Sequence, residues 1–162
     1  AEGLGADVPV CLLGRSARVT GTGTVLDPLD AIPRVPLLLC CPPNAVSAGD
    51  AYNLWAPSGD VLVPFSVKVP LPDAQVLAAL LRGTRNDLSP PAQRLAPDIA
   101  NVLTALASMP GCLLARQSGS GPCCFALFPT GTDAGAAAVQ LSERHPTWWT
   151  CVTRLATASV SA

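Results

Sequence analysis

One stretch of the sequence, residues 112–128, constrains the fold more than any other. It consists of two short apolar runs separated by Gln117-Ser118-Gly119-Ser120-Gly121-Pro122. Apolar runs of this length, bounded by turn residues, are typical of interior β-strands. Glycine reaches backbone angles that are closed to other residues and lets another group approach the main chain closely. The stretch therefore predicts two short buried strands joined by a tight turn.

The turn itself has two interpretations. Spacing alone favours an ordinary hairpin, but successive N–H groups of such a turn can also face one concavity and bind an anion. A dinucleotide fingerprint would need a glycine at Cys124 followed by a helix, and a P-loop would need Gly-Lys-Ser/Thr, whereas Lys68 is the only lysine. A nucleophile elbow needs glycine two residues on either side of its serine, which neither Ser118 nor Ser120 has. Hairpin and anion site therefore both stay open.

The composition indicates a folded domain whose surface is partly covered. Hydrophobic residues make up 49% of the 162 residues and charged residues only 13%. A chain of this size buries about 70% of its unfolded surface, and the thin polar surface left over predicts a domain interface. The net charge of −1 gives no electrostatic reason to expect nucleic acid. No signal peptide is visible and no apolar run approaches the roughly 20 residues of a membrane span, so no membrane partner is expected.

The seven cysteines include two adjacent pairs, Cys40-Cys41 and Cys123-Cys124. Neither pair has the spacing of metal ligands, so no metal site is predicted. Neighbours in a strand face opposite ways, and free cysteine behaves as a small hydrophobe. The pairs therefore predict buried, reduced thiols in a cytoplasmic protein.

Hydrophobic periodicity predicts the remaining elements. Gly5 begins a turn that leads into a strand at Val10–Leu13, and a second strand at 17–26 carries a Gly-Thr-Gly bulge. Val35–Cys41 is a central strand, a short strand is possible at 61–63, and 148–153 form the last strand. The predicted helices are one capped by Ser47 and ending at Leu54, one with its apolar stripe at 76–81 that ends at Gly83, one at 90–95, one at 98–107, and one that starts near Ala134 and ends near His145.

Four segments resemble, in their order along the chain, the GHMP small-molecule kinases. They are Gly5-Ala6-Asp7-Val8-Pro9, Asn86-Asp87-Leu88, Arg116–Phe128, and His145-Pro146 followed by Trp148-Trp149. The third segment resembles the third motif of that superfamily. Within the superfamily the resemblance is closest to the 4-diphosphocytidyl-2-C-methyl-D-erythritol kinases of the non-mevalonate isoprenoid pathway.

The resemblance implies an α+β fold. Residues 31–162 would form the ferredoxin-like GHMP kinase C-terminal domain, an antiparallel sheet with helices on one face. Residues 1–30 would be the last strands of the preceding nucleotide domain. Members of the family carry, further upstream, a lysine-bearing strand and a Gly/Ser-rich loop that holds the ATP phosphates. The chain is therefore expected to correspond to the carboxyl-terminal part, to need the missing N-terminal half, and to be inactive alone.

The resemblance also implies an activity: transfer of the γ-phosphoryl of ATP, with Mg²⁺, to 4-diphosphocytidyl-2-C-methyl-D-erythritol, a small-molecule substrate. Asp7 would act near the attacking hydroxyl, and Gly119, Ser120 and Gly121 would form the phosphate and substrate loop. Without the resemblance, the residue type favours a cap or turn carboxylate for Asp7, and His145 has a structural role at a helix end. Two alternatives stay open: another GHMP kinase, for homoserine or a mevalonate derivative, and a non-catalytic ferredoxin-like module that binds a small molecule.

Overall fold

A computed structural model describes residue 5 and residues 7–29, 32–55 and 71–155. The strand predicted at 61–63 lies outside this part of the chain. The elements within it, in order, are α1 (Val8–Leu13), β1 (Ala17–Thr20), β2 (Val25–Pro28), β3 (Pro36–Cys41), α2 (Ala48–Leu54), α3 (Ala74–Arg82), α4 (Ser89–Leu95), α5 (Asp98–Ala107), β4 (Leu114–Gln117), β5 (Cys124–Leu127), α6 (Gly131–Arg144) and β6 (Trp149–Arg154). None of the helices described is long and apolar enough to cross a membrane.

A four-stranded antiparallel sheet organises the part of the chain from β3 onward. Its strand order is β4-β5-β3-β6, so that β3 lies in the centre. The uninterrupted apolar run of β3 suits this place, because a central strand has neighbours on both sides and is covered on both faces. The antiparallel order and the helices between the strands confirm the predicted α+β, ferredoxin-like fold.

The larger core lies between one face of the sheet and α4, α5 and α6. Leu38 and Cys40 of β3 face it together with their β5 partners, Cys124 and Ala126. Buried side chains at helical spacing line the facing side of α5, as predicted: Ile99, Val102 and Leu106. Phe128, directly after β5, is completely buried in this cluster. This core supports the end of the sheet that carries the Gly-Ser turn.

A second cluster covers the opposite face of the sheet. Leu37 and Leu127, which are register partners in β3 and β5, pack with Ala74, Leu77 and Ala78 of α3. The prediction of helices on one face only is therefore wrong for α3. The physical reason is the composition of β3. Because polar residues do not alternate with apolar ones along this strand, both of its faces are apolar and have to be covered by other elements.

The segment predicted as a strand at Val10–Leu13 is instead the helix α1. Pro9 lies in its first turn, where a missing N–H costs nothing. Gly14 ends the helix in the left-handed conformation, with φ +64°, and donates its N–H to the Val10 carbonyl. A four-residue apolar run fits a strand and a helix equally well, and here the flanking proline and glycine decide for the helix.

The strand predicted at 17–26 is also wrong as a single element. It is a two-stranded hairpin in which Ala17 pairs with Pro28 and Thr20 with Val25. Gly21 and Gly23 have φ values of +65° and +87° and reverse the chain between the strands. The Gly-Thr-Gly centre is therefore a turn and not a bulge.

The prediction for the two cysteine pairs is confirmed for one residue of each pair and wrong for the other. Cys40 and Cys124 are buried, and desolvation raises the pKa of their thiols to about 11 and about 12 respectively. Cys41 and Cys123, in contrast, form a disulfide, so reduced thiols are a wrong prediction for these two. β3 and β5 pair Cys40 with Cys124 in antiparallel register. Cys41, which follows Cys40, and Cys123, which precedes Cys124, therefore lie together on the opposite face of the sheet.

The predicted helices in the described part are confirmed. Ser47 caps α2 by accepting the Asp50 N–H at 3.3 Å, and Gly83 ends α3. The helix predicted to end near His145 is α6, whose last residue is Arg144.

Candidate functional site

The turn between β4 and β5 closes through two backbone hydrogen bonds. The Ser118 N–H donates to the Cys123 carbonyl at 2.9 Å, and the Gly121 N–H donates to the Ser118 carbonyl at 3.0 Å. Gly119 and Gly121 have φ values of +53° and +83°, a region that residues with a Cβ rarely adopt. The tight glycine turn predicted from the sequence is thereby confirmed, although β4 itself is only half-buried except at Gln117.

The turn presents two consecutive main-chain donors. None of the hydrogen bonds that hold it uses the N–H of Gly119 or of Ser120. Gly119 is exposed, and a Cβ built on it would meet no atom within 4 Å. Adjacent N–H groups on an open, glycine-containing turn have the chemistry of an anion-binding concavity.

Asn86 lies against this turn from the loop before α4. Its Nδ2 donates to the carbonyls of Gly119 at 2.8 Å and Gln117 at 3.2 Å. Its Oδ1 accepts the Leu88 N–H at 3.0 Å. The fold thus brings together two of the segments that carried the resemblance, which are 33 positions apart at Asn86 and Gly119.

A second side-chain amide supports the turn from within. Gln117 is 3% exposed, and its Nε2 donates to the Gly119 carbonyl at 3.0 Å. Its Oε1 is buried without a hydrogen-bond partner among the described residues. Gln117 is not among the residues predicted from the sequence to belong to the site; the available signal was a lone uncharged polar side chain at the end of a predicted buried strand.

Arg116 faces away from Gln117 and ties β4 to the loop after α3. Its guanidinium donates to the carbonyl of Thr84 at 2.9 Å and to the hydroxyl of the same residue at 2.5 Å. Burial lowers the pKa of Arg116 from its usual value, but arginine remains protonated in proteins. The Arg85–Asp87 ion pair beside Asn86, at 2.6 Å, is largely solvent-exposed and contributes little stability.

Asp7 occupies the N-cap position of α1 and is exposed. Its side chain makes no capping hydrogen bond, so the capping role that the residue type allowed is not seen. None of the hydrogen bonds of the Gly-Ser turn involves Asp7. Its role near an attacking hydroxyl, and the role of Gly119, Ser120 and Gly121 in holding a phosphate, stay predictions.

His145 lies at the end of α6, as predicted. Its backbone N–H donates to the Leu141 carbonyl at 2.8 Å, and its ring stacks on Trp148 with 3.7 Å between the ring centroids. Both residues belong to the fourth segment of the resemblance, which thus lies at the carboxyl end of α6. Among the described residues, no group of three or more His, Cys, Asp or Glu side chains could hold a metal ion.

Comparison with known families decides the classification of this part of the chain. The family model described as "GHMP kinases C terminal" matches residues 71–147. This range includes α3 to α6, Asn86 and the whole Gly-Ser turn. Residues 71–147 belong to the GHMP kinase C-terminal family. The superfamily predicted from the four segments is confirmed.

Two curated relatives that share one enzyme name are similar to almost the whole of this chain. The 4-diphosphocytidyl-2-C-methyl-D-erythritol kinase of Cereibacter sphaeroides is 46% identical over 153 residues, which cover 94% of this chain and 55% of that protein. The enzyme of the same name from Paracoccus denitrificans is 42% identical over 157 residues, covering 97% of this chain and 57% of its own length. The chain thus spans about half the length of the curated relatives it matches.

Solved structures agree with this similarity. A crystal structure of 4-(cytidine 5'-diphospho)-2C-methyl-D-erythritol kinase superposes with a TM-score of 0.68 at 33% identity, covering 93% of this chain and 54% of that one. Homoserine kinase from Cytophaga hutchinsonii superposes with a TM-score of 0.58 at 16% identity, covering 82% of this chain and 45% of that one. The second match shows a shared fold alone.

Proposed function

We propose that this chain is the carboxyl-terminal part of an ATP-dependent kinase that phosphorylates 4-diphosphocytidyl-2-C-methyl-D-erythritol in isoprenoid biosynthesis. The observation that carries the proposal is the Gly-Ser turn, whose Gly119 and Ser120 N–H groups are not used by the fold. It lies in a chain that is 46% identical to an enzyme with this name. The 16% identity to homoserine kinase gives no comparable support to the other GHMP activity.

In the proposed reaction the turn binds phosphate. Phosphoryl transfer depends mainly on positioning and on stabilising the charge of the transferred group. Neutral N–H donors at Gly119 and Ser120 fit the oxygens of a nucleotide phosphate, and the absence of a Cβ at the exposed Gly119 lets the group approach the main chain, while Gly121 allows the turn to pack against Ile99 and Gln117. ATP supplies the phosphoryl group, and Mg²⁺ normally binds through its phosphates and one or two carboxylates.

Asp7 is the proposed proton acceptor. A carboxylate is too weak a base to remove the proton of an alcohol in advance. It accepts the proton late, when bonding to phosphorus has made the hydroxyl acidic, and it orients the oxygen for in-line attack. We place the enzyme in the cytoplasm, where its ATP is available.

The test compares two forms of the protein. With the amino-terminal half of the kinase joined to this chain, we expect ADP release that depends on 4-diphosphocytidyl-2-C-methyl-D-erythritol and is not supported by homoserine or a mevalonate derivative. The 162-residue chain alone should neither hydrolyse ATP nor bind it tightly in calorimetry. We expect this because a nucleotide normally places its phosphates at a helix start, and one short turn is a poor substitute.

The possible failures of this test have different meanings. Micromolar ATP binding by the chain alone would contradict the proposal that the amino-terminal half is needed to bind ATP. If the joined protein binds the cytidylyl substrate but never transfers phosphate to it, the non-catalytic binding module becomes the better interpretation.

A further inference from the structure

The carbonyl of Gly119 accepts two side-chain hydrogen bonds, from Asn86 Nδ2 at 2.8 Å and from Gln117 Nε2 at 3.0 Å. This carbonyl and the N–H of Ser120 belong to the same peptide unit. In a trans peptide the two groups point in opposite directions from one rigid plane. Two donors that hold the carbonyl on the inner side of the turn therefore also fix the direction of the Ser120 N–H.

Asn86 is itself held in one orientation. Its Oδ1 accepts the Leu88 N–H, and its Nδ2 also donates to the Gln117 carbonyl at 3.2 Å. The helix that follows, α4, is anchored in the core by Pro91 and Ala92. The amide thus connects the turn to the end of β4 and to a packed helix. It leaves the turn little freedom to rotate its central peptide.

Gln117 differs from Asn86 in how its hydrogen-bonding capacity is used. Only its Nε2 is paired, while Oε1 is buried without a partner among the described residues. An unpaired buried acceptor is unfavourable for the folded state. The contribution of Gln117 that the structure shows is therefore its hydrogen bond to the turn.

We propose that Asn86 is a positioning residue for an anion-binding turn, with Gln117 as the second support. By holding the Gly119 carbonyl, Asn86 presents the Ser120 N–H to a phosphate oxyanion while touching no ligand itself. The inference rests on the proposed function of the turn and adds the residue that prepares it. A flexible glycine turn would otherwise lose conformational entropy on binding.

The experiment follows the Gly119 and Ser120 amide signals of the isotope-labelled 162-residue chain during a titration with inorganic phosphate. The wild type should show selective, saturable shifts at these two amides. Asn86→Asp keeps the size and the acceptor for Leu88 but turns the donor into an oxygen that faces two carbonyls. It should weaken phosphate binding roughly tenfold, the scale of one hydrogen bond lost to a charged ligand site.

The matched control is Asn53→Asp, the same chemical change on the exposed surface of α2, which should leave the titration unchanged. Gln117→Met removes one of the two supports while keeping the length of the side chain, and should weaken binding by a smaller factor. If Asn86→Asp does not fold, the Gln117→Met titration decides in its place.

The outcomes distinguish a missing anion site from a missing positioning role of Asn86. No shift at Gly119 or Ser120 in the wild type would overturn the anion site, and the positioning role with it. Wild-type shifts that persist equally in the folded variants would leave the anion site standing and reject the positioning role of Asn86. Weaker binding in both Asn86→Asp and Gln117→Met, with both variants folded, would support it, because Gln117→Met adds no negative charge that would by itself repel phosphate.

Discussion

The described residues before position 30 differ from those after it in how far their side chains are buried. Between residues 7 and 29 no side chain is buried, and Leu12 of α1 is 74% exposed. From residue 32 onward two buried clusters cover the two faces of the sheet, and Phe128 is 0% exposed. The first region has local structure without a core, whereas the second has a core that supports the Gly-Ser turn.

This difference bears on how the proposed site would be assembled. The Gly-Ser turn is shaped inside this chain, because Gly121 packs next to Ile99 and Gln117. Asp7 begins a helix whose apolar side chain Leu12 is exposed, and the following hairpin exposes Val19 and Val25. Exposed apolar groups concentrated in a region without a core of its own are compatible with a surface that another domain covers. In the proposed kinase, we infer that the part outside this chain positions Asp7, while the sheet positions the turn.

The largest expected effect tests the difference in packing. Phe128→Ala should lower the free energy of unfolding by about 3–5 kcal/mol, because it removes a completely buried aromatic ring and leaves a cavity. Leu12→Ala should change it by less than about 0.5 kcal/mol in this chain, since the side chain is already in water. Urea unfolding followed by tryptophan fluorescence measures both. Similar costs for the two variants would show that α1 shares the core.

The second prediction concerns Asp7 in the complete kinase. Asp7→Asn keeps the size and one acceptor but loses the charge and the basicity, and should lower kcat by roughly 10²-fold or more. The substrate KM and the melting temperature should change little. A residue that served only as a cap would behave differently, because asparagine is itself a good cap. More than about half of the wild-type kcat in this variant would remove Asp7 from the mechanism.

The smallest expected effect compares the two glycines of the turn. Gly119→Ala and Gly121→Ala should each cost on the order of 1 kcal/mol for the left-handed φ. Gly121→Ala should cost more, because its Cβ would lie 3.2 Å from both Gln117 Nε2 and Ile99 Cδ1, whereas the Cβ at Gly119 meets nothing. In the complete kinase, Gly121→Ala should also weaken phosphate binding. Equal melting temperatures and kinetics for wild type and Gly121→Ala would show that this glycine is incidental.

Sequence patterns predicted the elements whose signals were long or redundant. The stripe of α5 repeats over three turns, and the central strand β3 is apolar throughout, so each signal survives a change in any one residue. The short run at Val10–Leu13 had no such redundancy and was assigned to the wrong type of element. The Gly-Thr-Gly segment was also misinterpreted, because glycine permits a bulge and a turn alike.

The chain's own residues determined the class of fold, the glycine turn and the membership of residues 71–147 in the GHMP kinase C-terminal family. These follow from local composition and from motifs that are readable without knowing what lies beside them. Only the tertiary structure decided that Asn86 holds the Gly119 carbonyl, that Gln117 is buried with one oxygen unpaired among the described residues, and that Cys41 meets Cys123. Each of these depends on strand register or on the docking of a distant loop, and such contacts are set by the packing of the whole domain.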